Sequence, residues 1–362
     1  MKPIALIAAF PPPITGQSLA AELLRDGLRE AGIPLYELDL SEPIGGCSLG
    51  MRILQLARLE VRLAVLCLRT PELTVYLQLG HGKAALVRDL FFMATAAVCR
   101  RPCVAHVHGS GFRAALDGLP APLRALERLL VSRLKAAVVL SGSLRAMFEG
   151  ILPEKRIFVV DNGIDPAFIA HARCAQPRVF SRERFNVLFL SNFLKAKGFA
   201  TLLDAAAIAH ARKLPIHFTF VGAKIPGQSV DIDEFIRTAE LSNVSVLPVV
   251  SGVDKHRVYQ DADVFILPSE YEGQPLSILE AMFESLPVVT TRVGGIPEIF
   301  SDDETGVRYV SPGDAEQIVE VLAALEADPE CRRSMGDANL KVAQSRFTPE
   351  KHIESMLRIL TE

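Results

Sequence analysis

One feature constrains this chain more than any other: short apolar, β-rich runs alternate with helical patterns, and the series begins again near residue 186. Strands separated by helix-length segments pair in parallel, because parallel neighbours need a long crossover. In the first series strands are expected at 4–10, 35–39, 73–78, 103–108, 137–140 and 157–160. In the second they are expected at 186–191, 216–221, 244–249, 264–267 and 287–290. Helices fill the gaps, for example 18–31, 199–212, 276–284 and 315–327. The pattern predicts an α/β protein with two doubly wound domains, residues 1–170 and 186–347, joined by a polar linker over 171–185. An amphipathic helix is expected over 348–362. In such folds ligands bind at the carboxyl ends of the strands.

The length of 362 residues, 49% of them hydrophobic, is enough for two domains with substantial cores. A net charge of −3 argues against general nucleic-acid binding. The charge is uneven. Residues 50–156 hold sixteen Lys and Arg against seven Asp and Glu, whereas residues 171–362 hold twenty against twenty-seven. A basic, apolar first half suits an anionic surface or acceptor, although ordinary surface arginines explain it equally well. The six cysteines, Cys47, Cys67, Cys99, Cys103, Cys174 and Cys331, form no CxxC pair and read as reduced thiols of a cytoplasmic protein. The short apolar N-terminus ends in Pro11-Pro12-Pro13 and reads as a first strand rather than a signal peptide. No run reaches the roughly 20 apolar residues of a spanning helix. The nearest, 51–68, carries Arg52, Arg58, Glu60 and Arg62 and suits an amphipathic helix.

The chemistry concentrates in Glu272-Gly273-Gln274-Pro275-Leu276-Ser277-Ile278-Leu279-Glu280. It follows an apolar strand and precedes the helical pattern Ala281-Met282-Phe283. Proline is favoured at the first helical position, so Pro275 is expected to open a helix. The amides of Leu276 and Ser277 would then form a phosphate-seeking helix end. Glu280 lies four residues after Leu276 and shares its helix face. Two carboxylates around such an end suit the sugar hydroxyls on both sides of a diphosphate. The plain alternative is a turn glutamate and a solvated helix glutamate.

This segment resembles the E-x7-E signature of the family 4 retaining glycosyltransferases, which have the GT-B fold of two Rossmann-like domains facing across a cleft. Val288-Val289-Thr290-Thr291-Arg292-Val293-Gly294-Gly295-Ile296-Pro297-Glu298 matches that family's next element. Ser191-Asn192-Phe193-Leu194-Lys195-Ala196-Lys197-Gly198 resembles its G-R-L-x-x-x-K-G segment, with Asn192 in the Arg position and Lys197 in register. Asn hydrogen-bonds a phosphate but brings no charge. Gly16, in the loop after the first strand, resembles the family's glycine-rich turn. His108, before Gly109, resembles its donor-sugar histidine; His106 reads as structural. Asp161-Asn162-Gly163-Ile164-Asp165 resembles its P-N-G-V-D turn. Asp231-Ile232-Asp233 reads as a helix cap and Asp261-Ala262-Asp263 as a strand entrance, so no metal is assigned to either pair.

The resemblance implies retaining, metal-independent transfer of a sugar from a UDP- or GDP-sugar to a glycan or lipid-linked acceptor, in cell-surface polysaccharide assembly at the inner face of the plasma membrane. Glu272, Lys197 and His108 are the implied catalytic residues. Gly16, Asn192, Gly273, Gln274, Pro275, Leu276, Ser277 and Glu280 are the implied donor-binding residues. No cofactor beyond the nucleotide-sugar is expected, and peripheral contact with an anionic membrane suits the basic first half. A GT-B-fold sugar-nucleotide epimerase, or a non-catalytic nucleotide-sugar-binding protein, is the alternative.

Overall fold

The computed structural model describes residues 2–41, 48–80, 82–174, 184–225, 231–301 and 304–362. They form two six-stranded parallel sheets. The first holds β1 (Ile4–Ala8), β2 (Leu35–Asp39), β3 (Thr74–Leu79), β4 (Cys103–Val107), β5 (Ala136–Val139) and β6 (Ile157–Val159), in the order β2-β1-β3-β4-β5-β6. The second holds β7 (Phe185–Leu190), β8 (Ile216–Val221), β9 (Val244–Leu247), β10 (Val264–Leu267), β11 (Val288–Thr291) and β12 (Val307–Val310), in the order β12-β11-β10-β7-β8-β9. Each of the eleven expected strands is present. β12 was not expected: it is four residues long, and its Arg308 is exposed.

Both faces of the first sheet are covered. Ala5 and Ile7 of β1 point into a core shared with the helices Leu49–Arg69, Lys83–Val98 and Ala121–Ser132. Ile4, Leu6 and Ala8 point the other way, onto Gly16–Glu30 and the C-terminal helix Pro349–Thr361. All five β1 side chains are therefore buried, which is why β1 reads as a continuous apolar run rather than an alternating one.

The chain divides into two compact units, Met1–Asp165 with Pro349–Glu362, and Pro166–Thr348. The expected boundary at residue 170 therefore lies too late. Pro166–Cys174 is a helix whose Phe168 stacks on His256 with ring centroids 4.2 Å apart, so it belongs to the second unit. The polar run that begins at His171, read as linker, concealed the end of that helix. The rest of the expected linker, 175–183, lies outside the described residues. The C-terminal helix joins the first unit: its His352 Nδ1 lies 2.7 Å from the Asp161 carbonyl. Gly163 leaves it room, since a Cβ there would stand 2.9 Å from the His352 Cβ. The Asp161-Asn162-Gly163 turn is thus a seat for the last helix.

Candidate active site

A doubly wound sheet offers its ligand crevice where the strand order reverses. In the second unit that point lies between β7 and β10. The loop after β7 ends in the 3-10 turn Lys195–Lys197 and then Gly198 at φ +73°. A Cβ on Gly198 would lie 2.0 Å from the Pro268 carbonyl oxygen, so only glycine allows the two loops this approach. The Glu270 amide donates to the Ala196 carbonyl at 2.8 Å and holds them together.

That contact brings Lys197 to Glu272. The Lys197 Nζ lies 2.7 Å from Glu272 Oε1, and the Ser269 hydroxyl donates to the same oxygen at 2.7 Å. Glu272 is only 6% exposed, while the Lys197 side chain remains 27% exposed. Below the carboxylate, Gly294 at φ +53° would place a Cβ 1.8 Å from the Glu272 carbonyl oxygen. This explains the Gly294-Gly295 pair, whose second amide donates to that carbonyl at 3.4 Å.

The helix after β10 spans Leu276–Phe283. Pro275 is its N-cap in extended backbone, φ −70° and ψ 122°, and not its first helical residue as expected. The amides of Leu276 and Ser277 still fall in the first turn, and no side chain caps it. Gly273 and Gln274 are buried beside Glu272. Glu280 is 5% exposed, so it is not a solvated helix glutamate. The Lys255 ammonium bonds its Oε1, and the Tyr259 hydroxyl donates to its Oε2 at 2.8 Å. Burial, followed by the charge of Glu280, pushes the Tyr259 hydroxyl well above its ordinary value, so it stays a donor. Each Glu280 oxygen keeps a further lone pair for a hydroxyl.

Asn192 stands half-buried just after β7, where its carbonyl accepts from the Leu194 amide at 2.8 Å. Asp231 caps Ile232–Thr238 by accepting from the Asp233 and Glu234 amides, as its position suggested. Asp263 accepts from the Asn186 amide at 2.7 Å and so ties β10 to β7. Among the described residues no group of three His, Cys, Asp or Glu stands together as a metal site would require.

In the first unit the order reverses between β1 and β3. A cavity of about 210 Å³ opens there, lined by residues that include Ala9, Gln17, Gln78, Gly80 and Arg88. Gln78 accepts from the Ala9 amide at 3.2 Å and donates to the Gln17 carbonyl at 2.8 Å. Gly16 is exposed and opens the helix Gly16–Glu30, rather than lying in the loop before it. Thr15 is the cap, paired with Ser18 in a capping box. His108 follows β4 and is half-buried, with its ring centroid 4.0 Å from that of His106. His106 is buried, its Nδ1 is 2.9 Å from the Tyr76 hydroxyl, and burial, then the charges of His108 and His352, lower its pKa well below the ordinary value. That fits its structural reading.

Reading the sequence missed Ser269, Lys255 and Tyr259. Ser269 was in view, three residues before Glu272. Lys255 and Tyr259 lie on the helix Gly252–Gln260 and reach Glu280 only through packing.

Comparison with known proteins gives the family and the fold. The family described as glycosyl transferases group 1 matches residues 175–342, and glycosyltransferase family 4 matches residues 55–168. A D-inositol 3-phosphate glycosyltransferase of Arthrobacter sp. (strain FB24) is 33% identical over 196 residues, 52% of this chain and 46% of that protein. The capsular polysaccharide biosynthesis glycosyltransferase CapM of Staphylococcus aureus is 25% identical over 177 residues, 48% of this chain and 46% of that protein. The chain thus spans a little under half the length of these curated relatives. The crystal structure of Anabaena Alr3699/HepE in complex with UDP and glucose matches with a TM-score of 0.73 and 20% identity, over 100% of both chains. That likeness establishes the GT-B fold. Two complementary family matches, over residues 55–168 and 175–342, place the chain in the glycosyl transferases group 1, family 4 glycosyltransferases.

Proposed function

We propose that this protein transfers a sugar, with retention of configuration and without a metal, from a UDP- or GDP-sugar to a glycan or lipid-linked acceptor. The observation that carries the reading is the Lys197–Glu272 pair at the switch point of the second sheet. Lys197 supplies positive charge where a departing diphosphate gains negative charge, and the Leu276 and Ser277 amides add fixed dipoles. Glu272 accepts from donor-sugar hydroxyls and Glu280 from the ribose. Asn192, Gly273, Gln274 and Pro275 complete the donor site. His108 and Gly16 are assigned to it by resemblance alone.

The bound UDP of the Anabaena structure supports a nucleotide donor, and the capsule enzyme supports work in surface polysaccharide assembly. The switch-point cavity of the first unit, with Arg88 on its wall, is proposed to receive the acceptor. Calorimetry with UDP-, GDP- and ADP-sugars, followed by product analysis with and without EDTA, tests the whole reading. Binding with transfer that survives EDTA is expected. A changed sugar formed without acceptor would indicate an epimerase, and binding without turnover would indicate a sensor, the reading that Asn192 favours.

Glu280→Ala is expected to weaken donor binding by roughly 1.5–3 kcal/mol, the worth of a charged hydrogen-bond partner. Glu280→Gln should retain part of it. Calorimetry on folded variants checks this, and an unchanged dissociation constant in Glu280→Ala would remove the ribose assignment.

A further inference from the structure

The helices Leu49–Arg69, Lys83–Val98 and Ala121–Ser132 form one layer on one face of the first sheet. Their inner sides supply the core, as a layer of this kind requires. Their outer sides are unusual. Among the described residues seventeen large hydrophobic side chains are exposed, and eleven of them lie on these three helices. The helices of the opposite layer, Gly16–Glu30 and Pro349–Thr361, carry none of the seventeen. Isolated exposed hydrophobics need no explanation, but a concentration on one layer does.

The arrangement is regular. Leu54, Arg58, Val61, Val65 and Leu68 recur at helical spacing and share one face of Leu49–Arg69, with Val61 64% and Leu68 74% exposed. Lys83–Val98 lies alongside, joined by the Thr95 hydroxyl to Glu60, and shows Phe91 at 61% exposure. Ala121–Ser132 shows Leu129 at 48%.

The charges are as one-sided as the hydrophobics. The three helices contain three carboxylates, Glu60, Asp89 and Glu127. Glu60 is half-buried and held by Thr95, and Asp89 and Glu127 are buried. Arg58, Arg62, Arg69 and Lys83 are exposed. The outer face therefore presents aliphatic groups and cations, with every acid turned away from the surface. A protein partner or a second copy would be selected by shape and mixed polarity; a surface of aliphatics and unopposed cations matches acyl chains beneath anionic headgroups.

We propose that the outer face of this three-helix layer docks onto an anionic lipid bilayer, with Val61, Val65, Leu68 and Phe91 at the headgroup boundary and Arg58 and Arg62 over the phosphates. No helix among the described residues is long and apolar enough to cross a membrane, so the attachment is peripheral. The proposal stands apart from the donor chemistry, and its test uses no nucleotide-sugar.

The experiment is sedimentation of the full chain with vesicles of phosphatidylcholine alone or mixed with phosphatidylglycerol. Binding to the mixed vesicles at low salt is expected, and it should fade as salt rises. Val61→Glu with Leu68→Glu should abolish it. Arg58→Glu with Arg62→Glu should weaken it at least tenfold, and Arg257→Glu, exposed on the second unit, should leave it unchanged. Circular dichroism confirms that each variant is folded. Equal binding to both vesicle types, no binding at low salt, or full binding by the Val61/Leu68 variant would overturn the proposal. So would a self-association, seen by light scattering, that the Val61/Leu68 variant abolishes, since that would assign the face to a second copy.

Discussion

Lys197→Ala is expected to lower turnover by about a hundred- to a thousandfold, the loss typical when one preorganised stabiliser of developing charge is removed. The lysine is held to its place by two backbone devices, the positive φ of Gly198 and the Glu270–Ala196 hydrogen bond. Its side chain is partly exposed, so truncating it should disturb folding little. Glu272 is the more sensitive partner, because a buried carboxylate that loses its cation keeps only the Ser269 hydroxyl. The Lys197→Ala, Glu272→Gln double variant reports on stability alone: removing the unpaired charge should restore the stability lost in Lys197→Ala, while turnover stays low because Glu272 is itself assigned to the donor sugar. Lys197→Arg should recover part of the rate, since charge returns with a different shape. Asn192→Arg tests the neighbouring position, where an added cation should alter donor affinity or rate. Turnover within threefold of wild type in Lys197→Ala, measured with saturating donor, would remove this residue from the chemistry.

The sheets are legible in the sequence because their strands are buried on both faces and read as apolar runs such as Ile4–Ala8 and Val264–Leu267. β12 lies at the edge of its sheet, is buried only at its two ends, Val307 and Val310, and at four residues is too short to show a period. The helix Pro166–Cys174 was hidden for a different reason: its place is set by Phe168 stacking on a histidine nearly ninety positions later. The candidate site divides the same way. Glu272 and Glu280 are close in sequence and carry their own signal. Their partners do not: Lys197 is 75 positions from Glu272, and Lys255 is 25 from Glu280. Lys197 was found because its own loop carries a resemblance, whereas Lys255 and Tyr259 sit on a helix with no such mark. Glycine offered the intermediate case. Gly198 and Gly294 are visible as residues, but the carbonyls they make room for, on Pro268 and Glu272, are visible only once the strands are paired.

Glu127→Gln is expected to stabilise the first unit at pH 8 by several kcal/mol and to remove a slope from its pH dependence. Glu127 is fully buried on Ala121–Ser132, and neither of its carboxylate oxygens has a hydrogen-bond partner. Burial, followed by the charge of Asp89, pushes its pKa up to about 8 from the ordinary 4.5. Between those values the folded chain holds a proton that the unfolded chain has released. The folded state then binds more protons, so stability falls as pH rises through the window and levels off above pH 8. Each tenfold difference in proton affinity between the two states is worth about 1.4 kcal/mol, so the loss across the window is on the order of 4 kcal/mol. The buried histidines act in the opposite sense. His106 and His352 have lowered pKa values, mainly through burial, so their contribution rises with pH and is complete above the unfolded value of 6.5. Asp89 is raised by burial, so its contribution has the same sign as that of Glu127. Above pH 6.5 the histidine contribution approaches completion, and the difference between wild type and Glu127→Gln isolates the Glu127 carboxyl. Glutamine keeps the shape and stays neutral throughout. Urea denaturation at pH 6.5, 7, 7.5 and 8 measures the effect: the wild type should lose stability across the series, and the variant should lose markedly less. Parallel curves would show that Glu127 is ionised in the folded protein and has found a partner for its charge.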